Sequence, residues 1–206
     1  MAPDDLAPAV DDPARNHRGA PRLRHRDTAR DAPGIHDALD HPEAWTHLPA
    51  RRPPAAAELG TALATRANTP GWQVFTVVAT APISAIAAGT ILGTTSYLNA
   101  APEHARLEIG ATQYTPAAWG TVVNPEAKLL LLEHAFDALH VARVELRTDA
   151  RNTRSRAAIA RLGARHEGTL RMHHRRADGT LRDTELFAIT AADWPRVREN
   201  LRARLR

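Results

Sequence analysis

Apolar side chains recur at two different spacings along the chain. In the first third the period is mostly helical. A short strand from Leu23 is predicted to lead into one or two helices up to Pro49, and a further helix is predicted over residues 55–67. After Pro70 and Gly71 the pattern changes to runs of β-branched and aromatic residues, which are typical of strands. Three such runs predict an antiparallel meander over residues 72–79, 88–98 and 106–114.

Helices and strands alternate in the rest of the chain. Asn152 is placed to cap a helix that ends at Gly163, and Asp178-Gly179 marks a hairpin turn. The predicted elements are a helix over residues 125–139, a strand over 143–148, a helix over 152–163, a hairpin of strands over 165–174 and 182–189, and a closing helix over 191–205. This order predicts an α/β protein of the α+β kind, with a mixed sheet and helices on its faces.

Length and composition restrict the class of protein. A chain of 206 residues suits one folded domain, predicted over residues 21–206, after a disordered tail over residues 1–20 that is rich in Pro, Asp and Ala. The absence of cysteine excludes disulfides, thiolate nucleophiles and cysteine-bound zinc. The acidic start does not resemble a signal peptide, and no apolar run approaches the ~20 residues that span a bilayer. We therefore expect a soluble cytoplasmic protein without a membrane partner.

The net charge of +4 raises the question of a nucleic-acid partner. The basic residues are spread along the chain between Asp and Glu, and aromatic residues make up only 4% of it, so few side chains could stack on bases. A nucleic-acid-associated protein is therefore not favoured and stays a third interpretation. The positive surface would still attract an anionic ligand.

The segment WGTVVNPEA at residues 119–127 combines a glycine with a helix start. Asn124 is predicted as the N-cap, Pro125 as the first helical residue and Glu126 as a first-turn acid. These features explain a helix start without any ligand. The free amides of such a start can also bind phosphate, although the segment matches neither the P-loop nor the Rossmann glycine pattern. From these residues alone, both interpretations stay open.

Several longer segments resemble the GNAT superfamily of acetyl-CoA-dependent N-acetyltransferases, and in particular its RimJ/RimL-type branch. The resemblance is weak in the first third and strong from Leu107 onward. It rests on LEIG at 107–110, WGTVVNPEAKLLLLEHAF at 119–136, RVELRTDARNTRSRAAIARLGARHEGTLR at 143–171, DGTLRDTELFAI at 178–189 and DWP at 193–195. The resemblance implies the GNAT fold, a mostly antiparallel sheet splayed at the cofactor cleft with helices on both faces.

The resemblance also implies a binding mode for acetyl-CoA as cosubstrate, without a metal. The pantetheine arm would lie in the cleft beside Asn152 like an added strand. The pyrophosphate would lie on the backbone amides of Gly120, Thr121, Val122, Val123 and Asn124. The family loop has a small residue at the position of Val122 and Gln or Arg at that of Ala117. A β-branched residue resists positive φ, so Val122 would weaken cofactor binding if the loop followed the usual path.

Two residues are candidates for proton transfer on the same resemblance. Glu108 is the candidate base, and its alternative role is an ion-paired strand carboxylate. Ser155 is the candidate acid toward the departing thiolate, and its alternative role is to reinforce the Asn152 cap. The oxyanion would meet a backbone amide near residues 110–111, since no lysine is suitably placed. Tyr114 is a lesser candidate acid.

The acceptor is expected to be a primary amine. The branch resemblance favours a protein or peptide N-terminus, while a small-molecule amine such as a polyamine or an aminated antibiotic stays open. The main alternative function is a GNAT-like module that binds CoA or a peptide without efficient catalysis. Adjacent side chains of a regular strand point to opposite faces, so His173 and His174 are not expected to share a metal. A monomer or homodimer is expected, since a free strand edge could pair.

Overall fold

The computed structural model describes residues 22–25 and 28–206, so the predicted tail lies outside the described residues. Five α-helices are described: α1 (Thr28–Leu39), α2 (Ala56–Ala67), α3 (Val123–Glu133), α4 (Thr153–Leu162) and α5 (Trp194–Arg204). Seven strands are described: β1 (Arg22–His25), β2 (Gln73–Val78), β3 (Ile91–Ala101), β4 (Arg106–Tyr114), β5 (Arg143–Asp149), β6 (Arg165–Arg175) and β7 (Leu181–Thr190). The predicted elements are confirmed, with boundary shifts of a few residues.

The strands form one mixed sheet in the order β1-β2-β3-β4-β5-β7-β6. Strands β2 to β4 form the predicted antiparallel meander, and β1 pairs antiparallel with β2 at its edge. Strands β6 and β7 form the predicted hairpin, which joins β5 through β7. The strands β4 and β5 pair in parallel, and their ladder has only three register pairs, from Arg106↔Arg143 to Glu108↔Glu145. This short ladder joins the two antiparallel parts of the sheet, so the fold class predicted from the sequence is confirmed.

The larger core lies between the sheet and helices α3, α4 and α5. Leu107 and Ile109 of β4 alternate toward this side, as do Val144 and Leu146 of β5. They pack against side chains from all three helices, among them Leu131, Ile159 and Val197. Since these helices follow β4, β5 and β7 along the chain, their N-termini are placed by the strands that line the centre of the sheet.

Helices α1 and α2 cover the opposite face of the sheet at strands β2 and β3. Their cluster contains Ile35, Leu39, Leu59 and Leu63, packed against Val74. These helices do not extend over β5 and β7, where the same face of the sheet carries charged side chains instead. We call this charged part of the sheet the polar face, and define it by Glu108, Glu145, Arg147, Asp149 and Arg182, which lie on the same face of their strands and, apart from Arg147, are buried. None of the described helices is long and apolar enough to cross a membrane.

A β-bulge interrupts β4 directly after Gly110. Gly110 pairs with Ser96 and Gln113 pairs with Thr94, so one residue of β3 lies opposite two residues of β4. Ala111, one of the two, has the left-handed φ of 46°. The bulge needs Gly93 on β3, because a Cβ built there would lie 2.1 Å from the backbone oxygen of Gln113. The sequence therefore changes the direction of β4 at a defined position.

Candidate functional site

The strands β4 and β5 part after Glu108 and Glu145, and this opening is the geometric centre of the candidate site. Beyond those two residues β4 continues beside β3 only, and β5 continues beside β7 only. The facing edges of β4 and β5 therefore carry backbone groups without a strand partner. An extended ligand with amide groups could pair with both edges, as the resemblance to GNAT enzymes implies for pantetheine.

Glu108 stands on the polar face where the opening begins. Its side chain is 7% exposed, and its Oε2 accepts a hydrogen bond of 2.9 Å from Asn99 Nδ2 and lies 3.4 Å from Nε of Arg147. Burial raises the pKa of the Glu108 carboxyl, and the positive charge of Arg147 opposes part of that rise. A carboxylate with a raised pKa is a better proton acceptor near neutral pH than an exposed one. The ion pair with Arg147 matches the alternative role of Glu108, and its role as a base stays a prediction.

The ion pair of Glu108 belongs to a chain of charges that crosses the polar face. Arg147 also donates to Glu145 over 2.7 Å, and Glu145 accepts from Arg143 over 3.0 Å. Arg143 in turn binds both carboxylate oxygens of Glu167, one of them at 2.8 Å. Glu167 is therefore held in an ion pair with Arg143. These arginines fix the orientation of Glu108 through Arg147.

The loop before α3 does not start the helix where the sequence predicted. The predicted N-cap Asn124 and first residue Pro125 are wrong by two positions, since α3 begins at Val123. The reason is that Thr121 Oγ1 accepts a 3.3 Å hydrogen bond from the Val123 amide and donates to the carbonyl of Ala118 over 2.7 Å. Pro125 is tolerated in the first turn, where its missing N–H would have no partner.

The loop before α3 contains backbone amides that have no hydrogen-bond acceptor among the described residues. Gly120 has the left-handed φ of 75°, and a Cβ at this position would have no atom within 4 Å, so the glycine serves the conformation and leaves open space above the backbone. Among the described residues no acceptor is found for the amides of Gly120, Val122 and Asn124. Three free amides at a helix N-terminus suit the pyrophosphate that the resemblance implies here.

Val122 takes an ordinary helical backbone conformation, with φ of −67° and ψ of −15°. A β-branched residue is unstrained there, so the expected conflict with positive φ does not arise. Its side chain is 42% exposed and does not fill the core. The left-handed position of this loop belongs to Gly120 alone, and the loop follows a path that a valine can adopt.

The first turn of α4 presents the other two predicted site residues. Asn152 is the N-cap as predicted, with its Oδ1 accepting from the Ser155 amide over 2.9 Å. This cap uses the Ser155 backbone and leaves the hydroxyl of Ser155 and Nδ2 of Asn152 without an acceptor among the described residues. The guanidinium of Arg154 stacks on Trp119, 3.3 Å from the ring centroid. This contact places the start of α4 directly beside the loop before α3.

Sequence reasoning missed Lys128, which is buried behind the bulge. Its ammonium donates to Thr112 Oγ1 over 2.7 Å and to Thr95 Oγ1 over 3.2 Å, so α3 contacts the bulge from the core side. Burial lowers the pKa of Lys128 to about 7. The available signal was that Lys128 is the only lysine in a chain with 27 Lys and Arg residues and that it lies within an apolar helix. Its ammonium faces the core side of β4, so the bulge backbone remains the predicted oxyanion site.

Other candidate groups have structural roles. Tyr114 is 7% exposed within the main core, and burial raises the pKa of its phenol, so it is a core residue, in line with its low ranking as an acid. The prediction that His173 and His174 point apart is wrong: left-handed Met172 and a register shift bring their rings to 4.1 Å. Within residues 22–25 and 28–206, however, no group of three or more His, Asp or Glu side chains could hold a metal.

A substitution at Gly120 tests the loop. We expect Gly120→Ala to weaken acetyl-CoA binding about 5- to 30-fold, because an alanine at positive φ costs about 1–2 kcal/mol and the backbone would shift to avoid it. Gly179→Ala is the matched control, since Gly179 has φ of 88°, equally open surroundings and a place in the hairpin turn. Calorimetric titration of both variants should show the loss only for Gly120→Ala. Equal affinities in the two variants would contradict the assignment of this loop.

Comparison with known proteins places this geometry in a family. The family model described as "Acetyltransferase (GNAT) domain" matches residues 22–165. A search of curated protein sequences gives no significant match. Among solved structures, a T. thermophilus protein assigned to the acetyltransferases is 34% identical, with coverage of 91% of this chain and 94% of that one and a TM-score of 0.80.

Two further solved structures carry more specific names. A GCN5-related N-acetyltransferase from Brucella melitensis is 25% identical over 93% of this chain and 84% of its own, with a TM-score of 0.84. Mycobacterium smegmatis RimJ, solved in complex with CoA-disulfide, is 25% identical over 90% of both chains, with a TM-score of 0.72. The family match covers the parted strands, the loop before α3 and the start of α4, and the chain therefore belongs to the GNAT acetyltransferase family.

Proposed function

We propose that the protein transfers the acetyl group of acetyl-CoA to a primary amine by direct attack of the amine on the thioester. The observation that carries this proposal is the parting of β4 and β5 at Glu108, together with the free amides of the loop before α3 and the start of α4 beside that loop. Acetyl-CoA fits the donors that are present, since three unpaired amides suit a pyrophosphate and two strand edges suit amide groups.

Each step of the transfer has a candidate group. Glu108 takes the proton of the attacking amine, directly or through a water molecule. The bulge backbone at Gly110 and Ala111 donates a hydrogen bond to the oxygen on which negative charge develops. Ser155, with its hydroxyl unused by the cap, gives a proton to the departing thiolate. Arg147 holds the Glu108 carboxylate in place, and Asn152 offers its Nδ2 to a carbonyl of the pantetheine arm.

A protein or peptide N-terminus is the proposed acceptor. The support is the RimJ/RimL-type motifs around Asn152 and Ser155 together with the likeness to Mycobacterium smegmatis RimJ. A small-molecule amine is the alternative acceptor. Helices α1 and α2 pack mainly on β2 and β3 and leave the polar face of β5 and β7 without a covering helix, which supports a place for the end of a peptide beside Glu108.

Titration with acetyl-CoA followed by an acetylation assay tests the proposal. We expect micromolar binding by calorimetry and release of free CoA that depends on an added peptide with an unblocked N-terminus. Binding without transfer to any peptide or small amine would favour the alternative of a module that binds CoA without efficient catalysis. A protein that neither binds nor transfers would contradict both interpretations.

A further inference from the structure

Arg182 is a nearly buried arginine with unused donors. It lies at the start of β7 on the polar face and is 9% exposed. Its Nε donates to Thr184 Oγ1 over 3.2 Å, which is the hydrogen bond found for this side chain. Among the described residues, neither of its terminal nitrogens has an acceptor, and no carboxylate lies within ion-pair distance of it. A guanidinium has five donors, so most of its capacity remains free.

The carboxylates around Arg182 are already paired with other arginines. Three arginines, Arg143, Arg147 and Arg176, hold the three carboxylates of the polar face and the neighbouring Glu167. Glu108 binds Arg147, Glu145 binds both Arg143 and Arg147, Glu167 binds Arg143, and Asp149 binds Arg176 with distances of 2.7 and 3.0 Å. Arg182 is thus the arginine of the polar face that is left with a free hydrogen-bonding edge.

The surroundings of Arg182 favour an anion. Burial lowers the pKa of Arg182, which reflects the cost of a desolvated cation without a direct counter-ion. The charges of Asp149 and Glu108 act on it from a greater distance. The pKa values of the neighbouring His173 and His174 are also lowered, by burial and by nearby positive charges, so both imidazoles favour the neutral form and add no competing cation. A carboxylate bound here would pair with the guanidinium through two parallel hydrogen bonds.

We propose that Arg182 is the anion-binding group of the acceptor subsite, and that the acceptor is a primary amine that also carries a carboxylate, as an amino acid or short acidic peptide does. This inference rests on the proposed function. Arg182 lies within electrostatic reach of Glu108, so an acceptor with its amine at Glu108 can place a nearby carboxylate on Arg182. A polyamine would need free carboxylates, and those of the polar face each already bind an arginine.

Pairs of acceptors that differ by one carboxylate test this inference. The probes are alanine and alaninamide, Ala-Ala and its amide, and the amides of Ala-Asp and Ala-Asn. For at least one pair we expect the wild type to favour the acid about 10- to 100-fold in kcat/KM, the range of a charged hydrogen bond in a partly buried site. In Arg182→Gln that ratio should fall to about one, mainly through the KM of the acid.

A control variant and the paired probes distinguish failure of this inference from failure of the proposed function. Arg175→Gln removes a charge from an exposed position of the same hairpin, where the side chain donates to the carbonyl of Gly179, and should keep the acid preference. Both variants should bind acetyl-CoA as the wild type does.

Equal rates for acids and amides in the wild type would overturn the inference while leaving the proposed function intact. Equal loss for acid and amide in Arg182→Gln would also overturn it, since Arg182 would then act only through Glu108. Absence of transfer to every probe, the amides included, would overturn the proposed function itself.

Discussion

Glu108→Gln is expected to lower kcat/KM by about 100-fold or more for an acceptor amine of high pKa, within the range that general-base catalysis contributes. The variant keeps the shape of the side chain and can keep a hydrogen bond to Asn99, but it cannot take a proton. Acetyl-CoA affinity should be unchanged, because Glu108 contacts neither the loop before α3 nor the start of α4. The loss should therefore appear in kcat, measured by the release of free CoA.

The pH profile gives this prediction a second readout. Burial raises the pKa of the Glu108 carboxyl, so wild-type activity should fall on acidification at a pH above the usual carboxylate range, as the base becomes protonated. Glu108→Gln should lack this acid limb. The loss of rate should be smaller for a peptide N-terminus, which is about a tenth neutral at pH 7, than for a lysine side chain, which is less than about a thousandth neutral.

Glu145→Gln is the matched control for this experiment. Glu145 lies directly beside Glu108 in the parallel ladder and shares Arg147, so the variant removes one carboxylate from the same network. It should retain the acid limb of the pH profile and lose much less rate. If Glu108→Gln kept its rate within about 3-fold for a lysine-like amine and kept the acid limb, another group would have to be the base.

The free energy of unfolding of the wild type should rise with pH above neutrality, and Lys128→Met should remove this rise. In the folded protein burial lowers the pKa of Lys128 to about 7, whereas the unfolded chain has the ordinary value of about 10.4. Between these values the unfolded state binds more protons, so stability increases with pH, by about 1.4 kcal/mol for each pH unit. This contribution is fully present above the unfolded pKa and is lost as the pH falls through 7.

Urea unfolding at pH 7, 8 and 9 measures the effect. The wild type should gain about 2–3 kcal/mol over this range relative to Lys128→Met, whose thioether does not titrate. Since Lys128 is the only lysine, no other lysine titrates in this window. Arg196→Met on the exposed surface of α5 is the control and should follow the wild type. Parallel curves for the wild type and Lys128→Met would contradict the lowered pKa of the buried ammonium.

Local side-chain chemistry made part of this structure predictable from the sequence. Asn152 and Gly163 delimit α4 as expected, because a cap hydrogen bond and a left-handed C-cap depend on neighbouring residues only. The start of α3 was predicted two residues late, since the turn before it positions Thr121 to accept from Val123. The order of strands and the splayed sheet followed from hydrophobic spacing and resemblance together, whereas the residue pair at which the β4 and β5 ladder ends is visible only in the structure.

The candidate site could be predicted at positions that belong to a sequence motif. It could not be predicted where the state of a side chain depends on contacts with distant residues. Glu108 lies where the ladder of β4 and β5 ends, and Ser155 lies in the first turn of α4; their roles in catalysis stay predictions. Among the described residues, the terminal nitrogens of Arg182 are free because the nearby carboxylates Glu108, Glu145, Glu167 and Asp149 pair with other arginines. Lys128 is buried where α3 contacts the bulge of β4. The histidine pair differed from the alternation rule because of a single left-handed residue, Met172. Each of these results depends on contacts between distant parts of the chain.

The three-residue parallel ladder between β4 and β5 has a consequence for hydrogen exchange. Beyond Glu108 and Glu145 the amides on the facing edges have no strand partner and should exchange quickly in the free protein. Amides that β4 shares with β3, or β5 with β7, should exchange slowly in both states. If a ligand enters as an added strand, the fast amides of residues 109–112 should become protected on binding. Hydrogen exchange at the unpaired amides of β4 and β5 would thus detect cofactor binding at individual residues, without any measurement of catalysis.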